Sequence, residues 1–404
     1  MLFRSLGHRD TNSVQAPTIL NYWRSSHYGG AVADADQGEQ WDKVVGPFLL
    51  YFNSANGHEA LYKDAVARSN VEAQKWPFAW VNGVDYPHKD ERATVTGHIV
   101  LKDPQAKSSK LPNLRVGLTA PAYTIQPTQR DGGGSAAAAT TPTAGAPPRQ
   151  IDWQTDAKHY EFWADGDVNG NFNLTGVRPG TYTLHAFADG VLGELAKTDV
   201  TVVAGKPLNL GTIDWTPVRH GRQIWEIGIA NRTGIEFDGG DNYAHDGTFL
   251  DYAKLFPNDV NFVIGKSDFK KDWYFEQVPH NEDPNAKPAA YNMRTPMGRA
   301  TPWTITFDIP KAGGSGKAHL RLGLASTSTR QFDVAVNDQP VATIDHLTSD
   351  GAIGRNGIHG VWSERDVEFD ASLLKPGTNT IKLTVPAGSL QSGIIYDYLR
   401  LELE

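Results

Sequence analysis

The side chains of this chain that could do chemistry fall into three small groups. The first is His27, in Leu20-Asn21-Tyr22-Trp23-Arg24-Ser25-Ser26-His27-Tyr28-Gly29-Gly30. An imidazole titrates near neutral pH and can serve as a general acid or base, or only as a structural hydrogen-bonding group. Strict strand alternation would put Tyr22 and His27 on opposite faces, so bringing them together needs a bend near Ser25-Ser26. The second is Asp165-Gly166-Asp167-Val168-Asn169-Gly170, the first half of a D-x-D-x-N-G calcium loop. Its twelfth position is Gly176, where calcium needs a bidentate glutamate, and a hairpin turn accounts for the same residues. The third is a pair of aromatic and cationic segments, Lys271-Asp272-Trp273-Tyr274 and Arg355-Asn356-Gly357. A pyranose ring stacks on an aromatic face while polar forks hold its hydroxyls. Core and loop residues have the same types.

Composition excludes several other chemistries. The 404 residues contain no cysteine, so disulfides, thiolate metal sites and a cysteine nucleophile are ruled out. A net charge of −8 with no basic cluster argues against a nucleic-acid surface. No apolar run approaches the roughly 20 residues of a membrane span. The first residues, Met1 to Val14, lack the apolar core of a signal peptide, and a start inside a longer gene product accounts for that.

The elements that must position these groups read as strands. With 40 Gly, 24 Pro, 14 Tyr and 11 Trp and few long helical periods, the chain is expected to be all-β, in two or three domains. Residues 1–90 contain candidate strands at Thr18–Trp23 and Pro47–Phe52, which cannot bury their faces alone. A helix is expected from the capping-box spacing Asn56-x-x-Glu59 to the stop at Pro77. Tyr62, Val66, Ser69, Ala73 and Trp76 fall on one face of it, and Trp76, Trp80 and Tyr86 are expected to seal the helix against a sheet, the other reading being that they stack on sugars. Residues 91–213 read as a small sandwich with an unstructured low-complexity insert near 129–149. Residues 214–404 read as a jelly roll, with strands such as Trp303–Ile309, Ala318–Ala325, Phe332–Asn337 and Thr380–Val385.

One stretch is more specific. In Tyr160–Glu194, Phe172 and Leu174, then Tyr182, Leu184 and Ala186, alternate with polar neighbours around the turn Arg178-Pro179-Gly180. This G-x-F-x-L-x-x-V-x-P-G-x-Y-x-L pattern resembles the fibronectin-III-like middle domain of the family-4 polysaccharide lyases, the rhamnogalacturonan lyases. Ile224–Phe237 and Ile394–Glu404 resemble the third, carbohydrate-binding-like domain of the same family. The resemblance therefore implies the end of a β-supersandwich, then a fibronectin-III-like sandwich, then a carbohydrate-binding jelly roll. It also implies cleavage of rhamnose–galacturonate linkages in pectic rhamnogalacturonan I by β-elimination, outside the cell or in the periplasm.

Elimination needs a base for the proton alpha to the galacturonate carboxyl group and an acid for the leaving oxygen. In the resembled family a lysine is the base and a histidine assists. The histidine maps onto His27 and a substrate-side tyrosine onto Tyr22, with Leu20 where the family has a further tyrosine. The first lysine is Lys43, so the family's base falls upstream of this sequence. The expectation is a truncated lyase with little or no turnover as an isolated chain, either monomeric or paired with a missing N-terminal segment. The alternative is a non-catalytic polysaccharide-binding or accessory protein. The resembled third domain can hold a structural calcium between its first and last strands, which would carry over to Glu226 and Asp397; two surface carboxylates is the other reading.

Overall fold

Alternating burial along the strands builds two β-sandwiches, one after the other. The computed structural model describes residues 39–47, 49, 51–125, 128–129, 141–142, 148–241, 247–283, 296–355 and 357–404. Tyr22, His27 and the candidate strand Thr18–Trp23 lie outside them.

In the middle sandwich, Phe172, Leu174 and Val177 of strand Asn171–Val177 are buried while Asn171, Asn173 and Thr175 face out. That strand pairs antiparallel with Ala93–Leu101, which pairs parallel with Leu208–Trp215. The facing sheet orders Leu195–Val202, Gly180–Phe187, Arg115–Thr119 and Phe162–Asp165. Val95, Ile99, Val116, Leu118, Phe172 and Leu184 form the core between the sheets. The turn at Arg178-Pro179-Gly180 is present, with the Tyr182 hydroxyl donating to the Arg178 carbonyl at 2.9 Å, but the strands it joins, which read as a hairpin in sequence, lie in opposite sheets and do not pair. Tyr123–Ile125 and Arg149–Ile151 pair antiparallel, so the low-complexity insert springs from a hairpin stem within the sandwich. Its residues 130–140 and 143–147 lie outside the described residues.

The C-terminal sandwich packs two five-stranded sheets. One orders Arg222–Gly228, Ile394–Leu403, Lys317–Thr327 and Ser363–Asp370, with Glu276–Gln277 joining the end of Ile394–Leu403. The other orders Asn261–Val263, Thr301–Ile309, Gly377–Val385, Phe332–Val336 and Gln339–Ile344. The four strands read from sequence are all present. Strand Lys317–Thr327 is buried at every position after Lys317, so both faces of its sheet are covered. The inner face meets the core around Trp303, Leu320, Leu322 and Leu399. The outer face carries Arg321, Arg400 and Glu402, all buried, beneath the connection that runs in from the middle sandwich.

The N-terminal segment differs from expectation. A helix forms over His58–Lys75, but Gly57 precedes it with φ 88° and no side chain caps it. None of its residues is buried, and Tyr62 is 71% and Trp80 68% exposed. The stripe that reads as a core face is therefore left open along the helix, and only Trp76, just past its end, reaches a sheet. Trp76 meets the edge of the middle sandwich, lying against Gly176 of strand Asn171–Val177 and under the Arg92 guanidinium at 4.5 Å. Tyr86 alone of the three aromatics is buried, and its hydroxyl accepts from the Phe78 amide. The described positions within Pro47–Phe52 form no strand, and Phe52 stands out in solvent.

Candidate functional site

The hydrophobic pattern places two sandwiches side by side, and a set of polar groups that it does not forecast joins them. Arg232 lies just beyond strand Arg222–Gly228, with a left-handed φ of 68°. Its guanidinium sits 4.3 Å from the ring centroids of both Phe187 and Trp362, and 5.6 Å from Trp153. One nitrogen ends on the Glu194 carboxylate of the middle sandwich, whose other oxygen meets His185 Nδ1. Burial alone would raise Glu194, but the His185 hydrogen bond and the Arg232 charge hold it below the usual carboxylate range.

Asp397 closes the same seam from the last strand. Its Oδ1 accepts from the amides of Asn231 and Arg232 at 2.7 and 2.8 Å, and its Oδ2 from the Trp362 indole at 2.7 Å. Burial pushes its carboxyl up to about 7 against those donors. Gln154 of the middle sandwich and the Trp362 backbone bond each other reciprocally, at 3.0 and 2.9 Å. The Gly190 amide donates across to the Ala230 carbonyl at 2.8 Å. A small cleft remains, lined by Phe187, Val191, Ala230, Arg232, Trp362 and Asp397.

A second set of bonds fixes the connection between the sandwiches. Arg219 clamps Asp103 of the middle sandwich, and the His220 amide donates to Glu402 Oε2 at 2.9 Å. Arg321 reaches the Val218 carbonyl at 2.6 Å, and Gln105 reaches the Gly221 carbonyl at 2.8 Å. Buried charges are tolerated only when paired in this way. The seam is a joint held by cation, aromatic and carboxylate groups whose bonds are internal.

The residues singled out by sequence are distributed differently. Trp273 is wholly buried, edge-on to Trp303 at 4.8 Å and Tyr396 at 5.5 Å, so it offers no face to a sugar. The reason is local: Trp273 through Gln277 are all buried, because this segment threads the core instead of skirting it. Arg355 ends a single 3-10 turn, Ile353–Arg355, anchored by the buried Ile353; its side chain lies outside the described set. In the Asp165–Gly170 segment, Asp167 Oδ1 accepts from the Asn169 and Asn171 amides, both at 2.9 Å, and Asp165 is paired with Arg115. That is a tight turn with Asp167 spent on its own backbone, and it carries the chain from strand Phe162–Asp165 in one sheet to Asn171–Val177 in the other, so it closes no hairpin.

Glu226 and Asp397 do not fit a shared calcium. Glu226 stands directly across from Arg400, whose guanidinium bonds it at 2.6 Å. Asp397 is three residues back along the same strand, about 10 Å at the usual rise, and its oxygens are taken by N–H donors. A cation there would meet a guanidinium on one side and hydrogen-bond donors on the other.

Two sandwiches in this order, joined by a buried polar seam, define a class. Residues 133–210 match the model of polysaccharide lyase family 4, domain II, and residues 223–401 match that of polysaccharide lyase family 4, domain III. The chain belongs to polysaccharide lyase family 4. Among its relatives, the rhamnogalacturonate lyase of Dickeya dadantii is 30% identical over 391 residues, covering 96% of this chain and 56% of that protein. A probable rhamnogalacturonate lyase B of Aspergillus fumigatus is 26% identical, covering 96% of this chain and 60% of that protein. Rhamnogalacturonate lyase B of Emericella nidulans is 24% identical, with 96% and 59% covered. The chain thus spans well under two thirds of the length of these relatives.

Proposed function

We propose that this chain forms the trailing part of a rhamnogalacturonan lyase, an enzyme that opens rhamnose–galacturonate linkages of pectic rhamnogalacturonan I by β-elimination outside the cell. The observation that supports this most is the state of residues 39–91. They have almost no core, yet they are bolted to the middle sandwich. Lys43 donates to the Ala157 and His159 carbonyls at 3.0 and 2.7 Å, and Asp85 pairs with Arg178 of the domain II turn. A segment so attached, with its apolar helix face open, suits the end of a larger catalytic domain lying upstream. Among the described residues no helix is long and apolar enough to cross a membrane, and the reading needs none.

Lys43 does not supply the missing base. Burial lowers its pKa, but both carbonyl contacts hold the ammonium in place as a strut. That favours a second reading, in which the isolated chain grips polymer without cutting it.

The test follows unsaturated uronate by ultraviolet absorbance when the purified chain is incubated with rhamnogalacturonan. Little or no rise is expected from the chain alone, with turnover appearing when the upstream segment of a relative is supplied. A rise from the chain alone that His27→Ala abolishes would place a complete site within it and require a different base. Binding without turnover under either condition would leave the second reading standing.

A further inference from the structure

Three metal-ligating side chains from separate parts of the chain converge at one edge of the outer face of the C-terminal sandwich. His319 is in strand Lys317–Thr327, Asp366 is in the neighbouring strand Ser363–Asp370, and His220 is in the connection between sandwiches. One donor atom from each lies within 4.8 Å of the others. His319 Nδ1 is 2.8 Å and His220 Nε2 is 3.7 Å from the same atom, Asp366 Oδ2. The two imidazoles stack at 4.3 Å with their planes 14° apart, each with a nitrogen near that carboxylate, and because an ion lies in the plane of the ring that binds it, the His220 ring must turn out of the stack for both to share one ion.

We propose that His220, His319 and Asp366 form a site for a divalent transition ion of the zinc type. Donors around tetrahedral zinc at about 2.0–2.1 Å are roughly 3.3 Å apart, and the distances to Asp366 bracket that spacing. Two imidazoles and one carboxylate suit zinc, cobalt or nickel and not the all-oxygen shell that calcium prefers. His319 is 5% exposed, and its Nε2 makes no hydrogen bond; the nearest acceptor is Glu404 Oε1 at 3.6 Å. Ligation through Nδ1 would fix the tautomer with the proton on Nε2, aimed at Glu404, the arrangement that orients metal-bound histidines. Asp366 is exposed, which gives the ion a route in and leaves room for a water as fourth ligand.

An ion pair alone does not account for the site. One histidine is enough to pair with Asp366, yet a second is stacked on the first, and its own amide is pinned by Glu402 at 2.9 Å. Because His220 belongs to the connection and the other two ligands to the sheet, the ion would staple the connection onto the C-terminal sandwich. The role is structural and independent of the lyase reading.

The test uses the whole 404-residue protein without a histidine tag, stripped by chelator and titrated with cobalt(II), then back-titrated with zinc. With no cysteine in the chain, the visible absorption of cobalt reports nitrogen and oxygen ligands alone. One ion per chain is expected, displaced by zinc, with zinc also raising the melting temperature. His220→Ala, His319→Ala and Asp366→Asn should each weaken binding at least about tenfold, and Glu404→Gln by about tenfold. His346→Ala, whose side chain is 95% exposed, should bind as the parent does. If the sheet variants fail to fold, His220→Ala, in the connection, decides the matter. Substoichiometric binding, or unchanged affinity in His220→Ala, overturns the proposal.

Discussion

Arg232 of the C-terminal sandwich ends on Glu194 of the middle one, and its guanidinium is enclosed by Phe187 and Trp362. Both side chains are mostly buried; removing Arg232 leaves the Glu194 carboxylate to His185 and the Trp153 indole, and removing Glu194 leaves the guanidinium only its aromatic rings. Arg232→Ala is expected to cost about 3 kcal/mol, measured by denaturant unfolding, with the two sandwiches beginning to melt separately. Arg232→Ala combined with Glu194→Gln should recover part of that loss. Additive losses in the double variant would show that packing, not charge, holds the joint.

Glu276 is fully buried, and burial pushes its carboxyl up to about 8. The folded state therefore holds a proton that the unfolded chain releases near pH 4.3. Its contribution to stability is present below that value and is lost as pH rises towards 8. Glu276→Gln is expected to melt like the parent at pH 5 and higher than the parent at pH 8.5. Parallel melting curves at the two pH values would exclude this account.

Gly170 has φ 97°, and a Cβ there would lie 2.0 Å from the Ile99 carbonyl oxygen. Gly170→Ala must distort both the turn and the strand that donates back to it. The left-handed penalty alone is about 1–3 kcal/mol, and the clash adds to it. With the joint intact the single unfolding transition should fall, and in the Arg232→Ala background, where the sandwiches melt separately, only the transition of the middle sandwich should fall.

Trp80 and Trp303 should mark opposite extremes. Trp80→Ala, at an open site, is expected to change stability by less than about 0.5 kcal/mol. Trp303→Ala, which empties the centre of the larger core and removes the Tyr252 hydroxyl's donor, should cost about 3–5 kcal/mol. If Trp80→Ala proved as costly, the helix face would be covered in solution.

What the sequence made legible was alternation. Phe172, Leu174, Tyr182 and Leu184 named their own faces, and Arg178-Pro179-Gly180 named its turn. Where the pattern breaks, so does the reading. Trp273 looks like a surface aromatic beside Lys271 and Asp272, yet the next four residues are buried as well, with no polar alternation to reveal it. The stripe Tyr62, Val66, Trp76 has core spacing, but spacing cannot state whether a partner is present. Glu226 and Asp397 do lie on neighbouring strands, as expected, and the register then sets Arg400 opposite Glu226 and three residues between the two acids. His220, His319 and Asp366 are far apart in sequence and meet only because the fold sets the strands of His319 and Asp366 side by side and leads the connection bearing His220 up to them. Nothing local foretells that meeting.

The connection from Trp215 to Arg222 is short, and Val218, Arg219, His220 and Gly221 within it are each tied down. Two modules on a loose string would explore a volume of solution, and a long ligand caught by one would meet the other at random angles. Here the angle is set when the protein folds. Any long ligand that reached both sandwiches would therefore meet them at one spacing and one angle, as marks on a ruler are met.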